Sequence, residues 1–152
     1  MEVPKKITEE LKTENPNWNA ILGYVLEHFS CSTGTLHFLD KDTQLLQLET
    51  QIGIPDFLIP KLSTIPIGKG MAGIAAERMK PVEMCNLQTD DSGVARPSAK
   101  DTKVEGSVAA PMILNGVLFG TLGIAKPVPY DFTTDEMNLL MAIGEAISEK
   151  IK

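Results

Sequence analysis

The chain has 152 residues, enough for one compact domain and too few for a second large one beside it. Its 43% hydrophobic content supplies a core without disulfide staples, and a net charge of −6 with scattered basic residues leaves no basic stripe for nucleic acid. Cys31 and Cys85 are too few for a secreted disulfide framework, the N-terminus lacks the apolar run of a signal peptide, and no stretch reaches the roughly 18 apolar residues of a membrane span; a cytoplasmic chain without a membrane partner is expected.

Residues 1–16 read as an N-terminal extension with a short helical signal, since only Ile7 and Leu11 fall four apart. Residues 17–152 read as the domain proper. Trp18, Ile21, Leu22, Val25, Leu26 and Phe29 recur at three- and four-residue spacing and make one apolar helix face. From Thr35 the period changes to two: Leu36, Phe38, Leu46 and Leu48 alternate with polar neighbours around the turn residues 40–43. This predicts a hairpin with one wet face, on which His37 sits. The piece 55–62, bracketed by Pro55 and Pro60, reads as short and irregular or helical.

Residues 70–79 predict a short helix of small side chains, stopped before Pro81, and 81–84 a brief strand. Residues 86–103 then run polar, and polar loops of this length are commonly functional. Two β-rich stretches, 105–114 and 117–125, flank Asn115-Gly116, the strongest short hairpin signal. Thr133 and Glu136 have the spacing of a capping box, so a helix starts there and runs to the end of the chain. Its Met137, Leu140, Gly144, Ile147 and Ile151 follow the 3-4-3-4 stripe of a coiled-coil-like seam, a candidate dimer interface. The order of elements gives an α+β fold with a mostly antiparallel sheet.

Gly68, Gly70 and Gly73 form a literal G-x-G-x-x-G, but Ser63 to Pro66 is no buried parallel strand and the following helix is barely two turns. A structural turn fits better than dinucleotide binding. Two histidines and two cysteines at scattered positions match no metal spacing, and both cysteines read as small buried side chains. A mixture of donors, acceptors and charge in the long loop, with apolar walls from Val82, Met84, Val108 and Ala110, suits a small-molecule pocket. The candidate ligand residues are Met84, Asn86, Gln88, Asp90, Asp91, Arg96, Ser98, Glu105 and Ser107, with Arg96 suited to an anionic group and Asp90 and Asp91 to a cation or hydroxyls.

Taken in order, segments 34–40, 45–53, 65–73, 108–112, 116–125 and 132–140 resemble the GAF domain family over nearly the whole chain, from about Asn17 to Ile151. The resemblance implies a GAF-like (profilin-like) central antiparallel sheet, with the terminal helices on one face and a ligand pocket roofed by loops on the other. It also implies a small-molecule sensor acting through a homodimer or a partner protein, or a scaffold whose pocket is vestigial.

Cys85 is followed by Asn86, where bilin-binding members carry histidine, so no covalent bilin is expected. The Asn-Lys part of the cyclic-nucleotide signature is missing, which speaks against that ligand; Phe132 and Asp135-Glu136 remain. The free methionine-R-sulfoxide reductases are the enzymatic runner-up, but this chain has Ala72 and Ala95-Arg96-Pro97 where they carry cysteines. The ligand stays unidentified at this level.

Overall fold

The computed structural model describes residues 2–89, 92–94, 100 and 102–152. Chain order is α1 (Lys5–Leu11), α2 (Trp18–Phe29), β1 (Thr33–Asp40), β2 (Leu45–Ile52), a 3-10 turn (Asp56–Leu58), α3 (Ile59–Leu62), β3 (Thr64–Pro66), α4 (Gly70–Arg78), β4 (Val82–Met84), β5 (Ser107–Leu114), β6 (Val117–Ala125) and α5 (Thr134–Ile151). Among the described residues six strands form one sheet in the order β3-β2-β1-β6-β5-β4. Every pairing is antiparallel, so the two hairpins β1-β2 and β5-β6 meet along β1 and β6. The fold is therefore α+β, as the order of elements implied.

Helix starts follow the local chemistry. The Asn17 side chain accepts from the Ala20 amide at the start of α2, and Thr133 with Glu136 closes the capping box of α5. Asn115 and Gly116 both adopt positive φ, which lets the β5-β6 turn match the twist of its strands. The glycine motif is a turn into α4: a Cβ on Gly73 would collide with the Pro66 carbonyl, and the Gly68 amide donates to the Gly73 carbonyl at 2.8 Å. No phosphate is needed to explain those glycines.

The main core lies between the sheet and α1, α2 and α5. It joins Ile7, Ile21, Leu22, Val25 and Leu26 to Leu36, Ala110, Met112, Leu122 and Ile124, and to Leu140, Ile143 and Ile147. The N-terminal extension is thus docked, since Ile7 of α1 is wholly buried in this core. Leu140, Gly144 and Ile147, expected at a dimer seam, are covered by the chain's own sheet, with the Gly144 backbone against Met112 of β5. A 3-4-3-4 stripe specifies a narrow apolar face and is indifferent to whether a helix or a sheet covers it. Met137 and Ile151, at the ends of the stripe, are partly buried.

Lys126 closes α2 from the far side of the sheet end. Its Nζ donates to the Phe29 carbonyl at 2.6 Å and to the Ser30 carbonyl at 3.1 Å, 4.5 Å above the Tyr130 ring. These carbonyls carry the negative end of the helix dipole, so two of the three N–H groups of the buried ammonium have carbonyl partners and the charge sits in a matching field. Lys126→Met keeps the apolar stem but leaves the carbonyls without it. A loss of about 1–3 kcal/mol is expected, read as a lower urea midpoint at unchanged slope.

Candidate functional site

On the face opposite the terminal helices, β1, β5 and β6 are covered by α3, α4 and the segment that returns through Leu87 and Val104. Between them lies a cavity of about 140 Å³. Thr33, Thr35 and His37 reach it from β1, Ser107 and Ala109 from β5, Gly123 and Ala125 from β6, Leu62 from α3, and Met71 and Ala72 from α4. The small side chains of α4 allow close approach to β5, where Ala75 packs with Val82 and Ala109.

The walls are apolar. Among the described lining residues none carries a formal charge at neutral pH, and the polar groups are threonines, Ser107 and His37. His37 was expected on a wet strand face; it is 1% exposed. The alternation was right and its environment was not, because α3 and α4 cover the polar face of β1. His37 Nε2 lies 2.8 Å from the Leu62 carbonyl. A carbonyl only accepts, so Nε2 carries the proton and ties α3 to the sheet. Nδ1 is buried without a hydrogen-bond partner among the described residues, as is the hydroxyl of Thr121, its cross-strand neighbour on β6.

Burial holds the His37 pKa below the ordinary value of 6.5, only partly opposed by the bond to Leu62. The unfolded chain therefore binds the proton more readily than the folded one between the two pKa values. Stability is full above about 6.5 and should fall as pH drops through that value toward the folded pKa. His37→Gln keeps a donor for Leu62 and should flatten this slope, checked by denaturation midpoints across mildly acidic pH.

Of the residues expected in the pocket, Ser107 lines it. Met84 is buried beside it with Leu87, Val104 and Ala125. Asn86 and Gln88 build the wall: the Asn86 side chain accepts from the Gln88 amide at 3.0 Å, and Gln88 Nε2 donates to the Val104 carbonyl at 2.7 Å. Glu105 contributes its backbone, accepting from Leu87 and donating to Lys126. Asp90, Asp91, Arg96 and Ser98 lie outside the described residues. Of the expected walls, Val108 borders the cavity, whereas Ala110 belongs to the helix-side core and its neighbour Ala109 takes its place.

Neither cysteine is buried as expected, and neither lines the cavity. Cys31 is partly buried at the end of α2, where burial pushes its thiol up to about 11 against the opposing field of Lys126. Cys85 is exposed, and a hydrogen bond with Asp131 raises its pKa before burial and the nearby carboxylates add to it. No group of three or more His, Cys, Asp and Glu among the described residues is placed to hold a metal ion. No helix among them is long and apolar enough to cross a membrane.

The family model of the GAF domain matches residues 19–152. The chain belongs to the GAF domain family. Solved structures agree on the fold. The GAF domain of a phosphoenolpyruvate-protein phosphotransferase from Coxiella burnetii superposes with a TM-score of 0.79 at 21% identity, covering 97% of this chain and 89% of that one. The A. aeolicus nlh2 GAF domain in an inactive state gives 0.74 at 15% identity, covering 96% and 91%. A free methionine-R-sulfoxide reductase from Neisseria meningitidis, in complex with its substrate, gives 0.72 at 16% identity, covering 99% and 92%. No curated protein sequence matches the chain.

Proposed function

We propose that the chain is a regulatory domain that binds a small molecule in the cavity under α4 and passes the occupancy on through a partner protein or a second copy. The observation that carries this is an apolar cavity of about 140 Å³ between the sheet and the elements that cover it, with one histidine in its wall that is bonded to the Leu62 carbonyl. Packed interiors seldom keep such space, and small-molecule sites combine apolar walls with a few placed polar groups. The His37 bond to Leu62 joins the cavity wall to α3, so a ligand that displaces or strengthens it changes the surface around Phe57, which is 70% exposed. A ligand shifts that balance by its differential affinity for the two arrangements.

Native mass spectrometry of the protein purified from its own host, in the cytoplasmic setting its free cysteines suit, reads both points. A retained mass of metabolite size supports the pocket. A ligand-free protein that no member of a metabolite panel stabilises against heat contradicts it, and a monomer without a co-purifying partner contradicts output through an interface. The thiol-reductase reading has less support, because an attacking thiolate needs a low pKa beside the substrate and both thiols here are raised and away from the cavity.

A further inference from the structure

Strand register builds the floor of the cavity from small residues. Thr35 of β1 stands opposite Gly123 of β6, and Gly123 stands opposite Ala109 of β5. Two residues along on the same face, Thr33, Ala125 and Ser107 form a second row, and all six residues line the cavity. Two such rows across three strands span roughly 10 Å by 7 Å between backbone positions. No side chain on this floor is longer than that of threonine, and on the central strand Gly123 has none. Its backbone is ordinary strand, outside the positive-φ region, and a Cβ there would meet only Thr35 Oγ1 at 3.0 Å and the Val108 carbonyl at 3.9 Å. The conformation of the chain does not call for glycine at this position; the missing side chain opens onto the cavity.

The roof stands close to that floor. Ala109 is packed in one cluster with Val82 and with Ala75 of α4, so short side chains hold helix and sheet together at this edge. Gly70, Met71 and Ala72 of the same helix border the cavity beyond it. An engineered apolar cavity of about 150 Å³ binds benzene, which puts the about 140 Å³ here on the scale of one ring. We infer that the cavity takes a flat, single-ring molecule lying against the sheet, and that Gly123 sets this preference by keeping the floor level. The inference rests on the ligand-site reading above and adds the shape of the ligand. A saturated ring with the same number of heavy atoms is thicker, so it must push α4 off the sheet or displace the floor, and one methylene too many in an apolar pocket changes affinity by about 10–200-fold.

Phenol and cyclohexanol separate these cases, since they share heavy-atom count and hydroxyl and differ in flatness. Each is titrated into the full chain and followed by amide and α-proton spectra. Phenol is expected to bind at least about tenfold more tightly, the lower end of that range. Its ring current should move the Gly123 α-protons upfield, the sign for protons under the face of a ring. In Gly123→Ala the added methyl stands up from the floor, and phenol affinity should fall by more than about tenfold. The urea midpoint should stay near its original value, because the smaller loss of backbone freedom of alanine offsets the tight approach to Thr35 Oγ1. If that variant does not fold, the ligand pair on the unmutated chain carries the test. Equal affinities, or the downfield shift of a ring standing on edge, overturn the flat-ligand inference and leave the pocket standing. Unchanged phenol affinity in folded Gly123→Ala overturns the role of Gly123. Binding by neither molecule overturns the inference and the ligand site together.

Discussion

Leu140→Ala is expected to cost about 2–5 kcal/mol of folding stability, the range for removing a fully buried leucine without collapse of the space it leaves. Leu140 is 0% exposed, with Ile143 and Ile147 beside it in the same cluster and Gly144 one turn on against Met112. Gly144 lets the helix backbone close on β5, so the surroundings of Leu140 have little freedom to fill the gap. For a chain of this size each kcal/mol moves the melting temperature by roughly 2–4 °C. The drop should be independent of protein concentration. A seam between two copies predicts the opposite pattern, a concentration-dependent melting temperature and a shift in oligomeric state with little change in the folded protomer.

Ser107→Leu should abolish occupancy of the cavity while leaving the fold intact. Ser107 lines the cavity from the first residue of β5, and among the described residues its hydroxyl makes a long 3.5 Å contact with the Glu105 carbonyl. Little hydrogen bonding is lost on substitution. The added methylene and methyl groups enter existing space, each worth about 0.8 kcal/mol when buried, offset by strain where the wall cannot yield. Melting temperature is therefore expected to stay within a few degrees or to rise. Affinity for phenol should fall more than about tenfold, equivalent to 1.4 kcal/mol. Retained affinity with a folded variant places the binding site elsewhere.

The two predictions mark where sequence patterns carried meaning and where they did not. Asn115-Gly116 and the Thr133 to Glu136 spacing encode their structures within four residues, so hairpin and helix start were legible directly. The Leu140 stripe encoded burial correctly but not its partner, because a helix face of that width fits a sheet as well as another helix. The β1 alternation likewise separated Leu36 and Phe38 from Thr35 and His37. What turned the second face from wet to buried is the covering by α3 and α4, elements distant in sequence and short enough to carry weak periodicity. The long polar loop drew attention for its donors and acceptors, yet Asn86 and Gln88 spend theirs on the backbone that shapes the wall. The signal available for His37 was a polar strand face opposite a helix of small residues, two features that locate a covered polar surface when read together.

A phenol titration of the ¹⁵N-labelled chain, resolved amide by amide and compared with Ser107→Leu, tests the ligand site most directly. Saturable shifts are expected on Thr35, His37, Ala72, Ala109 and Gly123, with none of them in the variant. Shifts gathered instead around Leu140 and Ile147 on the helix side, or the same shifts persisting in folded Ser107→Leu, contradict it.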